Sequence, residues 1–391
     1  MFVSEYHFAQ LITDICCMVE YFITHNAKQF MYPDIHGKII CYVTDIIYSQ
    51  VAHLNICHDE LAEYVDYSIN SYIYAFIIPP RYSNNIAFRP ITNFNELKEK
   101  ITGLVNVVQP AQRTPAWYIQ RSNLITASNA YKAIDSPCNI NALILEKIKA
   151  YKALGTVATV HGYAGGETSF QYGIRNEPIS TMYFEHTYGT KIGEFGCMIH
   201  REYPFMGASP DGIVIDEMSP LYGTMIEIKN PVSREITGIP KKDYWVQMQL
   251  QMEVCDLDTC MFLETHITYY DSEADYISDG TFALSEDGYH KGVICELKGE
   301  VAPHYEYLPF NSSHQTYDQW KTQWDVPDGK PWVGYWFWKI DKISCVMVKR
   351  NKLWFNAVIP EFCEVWKTIL VERETDEYSH RLPRQRQTST L

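Results

Sequence analysis

No cysteine pair in this chain has the spacing of a metal knuckle. Eleven cysteines are scattered among 391 residues without a single C-x-x-C. The closest groupings (Cys16 with Cys17, Cys57 beside His53 and His58, Cys255 with Cys260) fall outside zinc-site spacing. An odd, dispersed set points to a reducing intracellular compartment rather than a disulfide scaffold. Long apolar runs are equally scarce. The longest, Ile69 to Ile78, contains Asn and Ser and is too short to span a bilayer, which predicts a soluble protein with no membrane partner. Basic charge is in deficit: 33 Lys and Arg stand against 47 Asp and Glu, for a net charge of −14 and a pI near 5.4. That excludes a general polyanion-coating protein. It leaves room for a local basic groove, since metal-binding carboxylates themselves add negative charge. Low-complexity tracts and a P-loop are also missing, and the Gly-rich segment 162–166 reads as a turn.

What is present is globular: 46% hydrophobic and 14% aromatic residues suffice for a large core. Residues 1–108 read as mainly helical. Phe8, Leu11, Ile12, Ile15, Val19, Phe22 and Ile23 recur at helical spacing, and further helices are expected over 38–54, 59–77 and 93–107. No chemical motif lies there, so this region is an appendage of unknown role. Beyond a break at 109–115 the pattern changes. Thr114-Pro115 is a helix start, and Ser128 is expected to cap a helix running to Ala133. Helices over 141–153 and 173–188 precede strands at 196–201, 211–216 and 223–229. A helix over 241–255 and a strand over 259–269 follow. Helix, three strands, helix, strand is an α/β pattern. Residues 271–330 read as an acidic insertion with short strands, 333–350 as two aromatic-rich strands, 358–371 as a closing helix, and 372–391 as a disordered tail that is basic and polar from 381 on.

The chemistry sits in GASPDGIVIDEMSPLYGTMIEIKNPV, residues 207–232. Along MIEIK, side chains alternate faces with period two, so Met225, Glu227 and Lys229 project together while Ile226 and Ile228 point the other way. An ionised carboxylate in a core strand costs several kcal/mol, on the order of ~3–5, unless paired or metal-bound. If Asp211 and Glu227 meet across a hairpin, the two acids repel unless a cation lies between them. Oxygen ligands with open positions suit Mg²⁺ or Mn²⁺. Such an ion can activate water, with Lys229 adding positive charge or orienting the nucleophile. The register of that hairpin is open in the sequence. E-x-K by itself is a weak signal, because it recurs at Glu96/Lys98, on a charge-rich helical run, and at Glu296/Lys298, in another strand-like run.

Flanking helices separate the candidates. Gly173-x-x-x-Glu177 opens a helix before the first acid, and Tyr244-x-x-Gln247-x-Gln249 lies on a helix after the E-x-K strand. Trp117-x-x-x-Arg121 and Ile125-Thr-Ala-Ser128 lie upstream. The ordered set resembles the lambda-exonuclease-like, YqaJ-type viral recombinase nucleases of the PD-(D/E)XK superfamily, in the form carried by large DNA viruses. The resemblance covers roughly 110–270, with a weaker echo in 335–369. It implies an α/β, restriction-endonuclease-like core of mixed central sheet and flanking helices over 109–371, interrupted by the 271–330 insertion and preceded by the helical region 1–108.

By the same resemblance, Asp211 and Glu227 are metal ligands, with the carbonyl of Ile228 a third and Glu177 completing the second metal or water position. Lys229 is the catalytic lysine, and Gln247 is the motif-helix residue near the active site. Arg121 and Ser128 match positions that bind a terminal 5′ phosphate. The implied activity is Mg²⁺-dependent digestion of double-stranded DNA from a 5′ end, leaving 3′ single strands for recombination, repair or replication. A ring-shaped homotrimer and a single-strand annealing partner belong to the same expectation, as does a place in the cytoplasm or nucleus of an infected cell. Two other readings stay open: a structure-specific endonuclease on this fold, and a catalytically silent DNA-binding or virion-assembly protein. For individual residues the plainer alternatives are core packing for Trp117, a helix cap for Ser128, and structural or solvated roles for Gln249 and Gln251.

Overall fold

The protein is represented by a computed structural model that describes residues 5–51, 57–86, 93–110, 114–153, 169–299, 303–323 and 332–382. The Gly-rich segment 162–166 lies outside the described residues, as do 383–391 of the expected tail. The N-terminal region is built from α1 (Glu5–His25), α2 (Ile35–Val51), α3 (His58–Ser68) and α4 (Phe94–Val105). A π-helical extension, Ile69–Ile77, continues α3. Ile12, Ile15, Val19, Phe22 and Ile23 are all buried, so the helical spacing read from α1 defines its packed face.

Next come α5 (Pro115–Ser122), β1 (Ile125–Thr126), α6 (Ala127–Ala130), α7 (Pro137–Lys152) and α8 (Ser169–Tyr188). Thr114 caps α5 through its hydroxyl, which accepts from Trp117 N at 3.3 Å, and Pro115 occupies the first turn, where its missing N–H costs nothing. Ser128 does not cap the following helix. Thr126 holds the cap position, its extended backbone being set by strand β1, and Ser128 lies inside α6. Likewise α8 begins at Ser169, so Gly173 and Glu177 lie within the helix rather than at its opening.

Strands β2 (Ile192–Gly193), β3 (Met198–Ile199), β4 (Met206–Ala208), β5 (Gly212–Val214) and β6 (Met225–Lys229) lead into α9 (Lys242–Cys255) and β7 (Thr259–Tyr269). The rest comprises α10 (Glu273–Ser278), β8 (Lys291–Leu297), β9 (His304–Tyr307), α11 (His314–Lys321), β10 (Trp332–Lys349) and α12 (Lys352–Thr375). One seven-stranded sheet runs in the order β2-β5-β6-β7-β10-β8-β9, and a small sheet runs β1-β4-β3. β6 and β7 are parallel, joined through α9, whereas β5 with β6 and β7 with β10 are antiparallel. This mixed central sheet flanked by helices is the α/β architecture expected of a PD-(D/E)XK core.

Three expectations shift. The aromatic run 333–350, expected as two strands, is one long strand with a register irregularity between Ile340 and Lys342. Its two halves pair with different partners, β8 first and β7 later, so a single strand staples the 271–330 segment to the central sheet. The closing helix is longer than 358–371, because Asn351 caps it by accepting from Trp354 N at 2.9 Å. Residues 372–382, expected to belong to a disordered tail, are structured instead. Arg381 forks onto Glu372, donating from Nε at 2.5 Å and again from Nη2, and a 3-10 turn occupies Ser379–Arg381.

The apolar core on the α9 face of the sheet is continuous from the N-terminal helices to α12, taking in Ile15, Ile39, Trp245, Met225, Phe262 and Ile369. Ile226, Ile228, Met261 and Leu263 pack on the opposite face with Phe184 of α8. The two faces of β6 are thus divided as its period predicts.

Candidate active site

The hairpin register decides whether the two acids meet. Gly212 pairs with Ile226 and Ile213 with Met225. One further antiparallel step sets Asp211 opposite Glu227. The intervening loop does not disturb this. Val214 N and Gly223 N bond back across it to Thr224 O and Val214 O, each at 2.9 Å, and Gly223 turns at φ +78°. That left-handed conformation suits glycine.

Asp211 Oδ2 accepts the backbone N–H of Ile228 at 2.7 Å, which pins the carboxylate against β6. Glu227 is 0% exposed. Its Oε1 accepts from Lys229 Nζ, and its Oε2 accepts from Gln251 Nε2 at 2.6 Å. An ammonium on one oxygen and an amide on the other offset the desolvation that an unpaired carboxylate would suffer. Lys229 Nζ also lies 5.2 Å from the centre of the Tyr244 ring, which Arg234 shares at 5.4 Å. Arg234 in turn pairs with buried Glu264 at 2.6 Å, and Glu264 neighbours Lys229 across the β6–β7 ladder.

Burial raises the Asp211 carboxyl well above its ordinary range, and the charges of Glu227 and Glu177 push the same way against Lys229 and the Ile228 N–H. Burial works against the Lys229 ammonium, but Glu227 and Asp211 outweigh it and hold the lysine charged. Two acids crowded at one spot are what a bound cation relieves. The residues fit one. Asp211 and Glu227 supply hard oxygen donors, and Gln251 Oε1 is buried in the same place with no hydrogen-bond partner among the described residues. Among the described residues, no three His, Cys, Asp or Glu side chains form a cage on their own. Glu177 is exposed on α8, near enough for its charge to act on Asp211 but outside such a set. A hard cation here would keep positions open for water and substrate.

Gln247 was expected to be the α9 residue at the acids. It is half-buried one turn earlier on the same face, and the side chain that reaches Glu227 is Gln251. The i, i+4 spacing of the two glutamines was visible in the sequence, and only the phase of α9 against β6 selects between them. Gln249 is structural: it donates to Lys349 O at 2.9 Å and accepts from Asn351 N at 2.7 Å, tying α9 to the β10–α12 junction.

The rival E-x-K pairs do other things. Glu96 pairs with Lys100 and Lys98 with Glu217 on an exposed face. Glu296 accepts from the Trp336 indole at 2.6 Å, while Lys298 is exposed.

Arg121 and Ser128 lie on either side of β1. β1 pairs in parallel with β4, Thr126 opposite Gly207, and β4 leads through Ser209 and Pro210 to Asp211. The Arg121 guanidinium lies 4.5 Å over the Trp117 ring, which gives Trp117 a positioning contact beyond simple packing. Ser128 is exposed, with its hydroxyl 3.4 Å from that of Thr126.

Residues 116–258 match the model of the YqaJ-like viral recombinase domain, a span that contains Arg121, Ser128, Glu177, Asp211, Glu227, Lys229 and Gln251. A functionally uncharacterised protein of Acanthamoeba polyphaga mimivirus is 25% identical over 305 residues, covering 68% of this chain. The chain spans about half of that relative's length, 54%. Among solved structures, an alkaline exonuclease from Laribacter hongkongensis is 19% identical, covering 67% of this chain and 94% of its own, with a TM-score of 0.38. A phage-related exonuclease from Haemophilus somnus 129PT is 16% identical, covering 64% and 94%, with a TM-score of 0.35. Residues 116–258 are thus similar to the YqaJ-like viral recombinase domain, and the chain is similar to a mimivirus protein.

Proposed function

We propose that this chain is a divalent-metal-dependent deoxyribonuclease acting on duplex DNA from a 5′ end and leaving a 3′ single strand. The observation that carries the reading is the in-register pair Asp211 and Glu227 with Lys229 on Glu227, within a YqaJ-like domain. Asp211, Glu227 and the carbonyl of Ile228 would hold Mg²⁺ or Mn²⁺, with Glu177 reaching the site through water. When bound, the ion supplies a lowered pKa for water and neutralises phosphate charge. Lys229 keeps its ammonium at the reacting phosphate, where negative charge grows in the transition state. Gln251 holds the plane of the Glu227 carboxylate. Arg121 and Ser128 bind the terminal 5′ phosphate, the arginine as a planar donor fork. Use of the product in recombination or repair, a ring-shaped homotrimer, a single-strand annealing partner and work inside an infected cell complete this reading.

A linear duplex and a covalently closed circle of the same sequence, titrated with Mg²⁺ and Mn²⁺, test it. Nucleotide release from the linear form alone is expected. Cutting of the circle would point to an endonuclease, and no release under either metal would point to a DNA-binding role.

A further inference from the structure

Lys147 is the least expected charge in the chain. It sits on α7 with 5% of its surface exposed, and the only hydrogen bond of its ammonium among the described residues is to the carbonyl of Arg121 at 3.3 Å. Four charged side chains act on its ammonium: Glu146, Arg121, Arg373 and Lys132. Glu146 is already engaged, accepting from Lys132 at 2.9 Å and from Asn129 at 2.6 Å. That leaves Lys147, Arg121 and Arg373 as three cations without a carboxylate partner among the described residues.

Arg373 has a structural occupation. It donates to Ser122 O at 2.7 Å, Lys147 O at 2.9 Å and Asn123 Oδ1 at 3.2 Å, satisfying carbonyls at the end of α5. Lys147 makes one such bond, and a neutral donor would serve for that. Burying an ammonium among other cations is costly unless an anion arrives. The Cys197 thiol neighbours both cations: Arg121 and the Ser209 hydroxyl hydrogen-bond to it, and the Lys147 charge acts on it. Ser209 belongs to the link between β4 and Asp211, so the cations lie near the segment that leads to the acids.

We propose that Lys147 is the second cation of the end-binding position headed by Arg121, and selects the dianionic terminal phosphate monoester over the singly charged internal diester. This rests on the end-recognition part of the proposed function. Arg121 supplies directional hydrogen bonds from the more exposed position, and Lys147 supplies charge from below. Burial, and then the neighbouring cations, lower the Lys147 pKa to about 8. The second ionisation of a phosphate monoester lies near ~6, so between about pH 7 and 9 the ligand's charge is constant and the lysine's is not.

The test is equilibrium binding by the full chain, in EDTA so that nothing is cut, of one duplex carrying either a 5′ phosphate or a 5′ hydroxyl. Wild type is expected to prefer the phosphate, and Lys147→Met to lose about tenfold of that preference with hydroxyl-end affinity unchanged. Lys147→Arg is expected to restore part of it. Wild-type preference is expected to fall as pH rises from about 7 to about 9, a profile that needs no variant to fold and that a mere helix-capping role would not produce. Full preference in a folded Lys147→Met, or a flat wild-type profile, overturns the role of Lys147 while leaving the nuclease reading intact. Equal binding of both ends by wild type overturns end recognition itself, and this inference with it.

Discussion

At the scale of single residues, the site is a solution to the problem of burying Glu227. Its two oxygens are taken by Lys229 and Gln251, so removing either partner leaves a carboxylate with an unmet demand. Gln251→Leu keeps the volume and deletes the amide. We predict a destabilisation of about 1–3 kcal/mol, the usual cost of an orphaned buried hydrogen-bonding group, together with a fall in turnover. Urea midpoints and initial rates on a linear duplex measure both. Gln247→Leu, one turn away, should cost well under half as much. Equal effects of the two variants would mean that α9 sits in a different phase. Glu227 and Lys229 were legible in the sequence because strand alternation alone groups them, whereas the meeting of Asp211 with Glu227 depends on a hairpin register that only the structure gives. Gln251 was not legible. Helical spacing offers Gln247 and Gln251 equally, and packing against β6 makes the choice.

At the scale of elements, the same division between local and tertiary information recurs. The cap at Thr114, the strand 259–269 and the crossover helix α9 follow from local residue types and were readable. The cap of α6 was misread because pairing of β1 with β4 ends the extended backbone at Thr126, before Ser128. The single long β10 was misread as two strands, since nothing local announces that its halves serve different neighbours. Asp279 anchors the joint between them. Its carboxylate accepts from the Tyr270 hydroxyl at 2.6 Å, Glu286 N at 2.9 Å and Lys339 Nζ at 3.3 Å. These hydrogen bonds lower its pKa from the usual 3.8 to about 2. A depressed carboxyl contributes stability that is complete above the unfolded pKa and lost as pH falls through the folded one. The difference in urea midpoint between wild type and Asp279→Asn should therefore be largest above about pH 5 and narrow toward about pH 2. A difference that does not change with pH would contradict the ionic account.

At the scale of the whole molecule, the N-terminal helices are tied into the sheet's core. Trp245 of α9 donates its indole N–H to Arg81 O at 2.9 Å. Lys28 pairs with Glu361 of α12 at 2.6 Å. Ser83 and Met347 exchange two backbone hydrogen bonds, at 2.8 and 2.9 Å, at the edge of β10. The composition break near 109–115 was visible in the sequence, but these cross-links were not, because no local pattern records contacts between distant residues. A chain lacking residues 1–108 would expose the apolar face of α9 and α12. It should be insoluble or lose cooperative unfolding, while the full chain melts in one transition by circular dichroism. A soluble, cooperatively folded truncation would contradict the shared core.

The central claim is that Asp211, Glu227 and Lys229 form one metal-dependent hydrolytic centre. It is tested most directly by nucleotide release from a linear duplex with Mg²⁺, comparing wild type with Glu227→Gln at matched circular-dichroism spectra. The account predicts metal-dependent release by wild type and a loss of at least about a thousandfold, on the order of 4 kcal/mol of barrier, in the variant, with DNA binding retained. Undiminished Mg²⁺-dependent release by Glu227→Gln would contradict it.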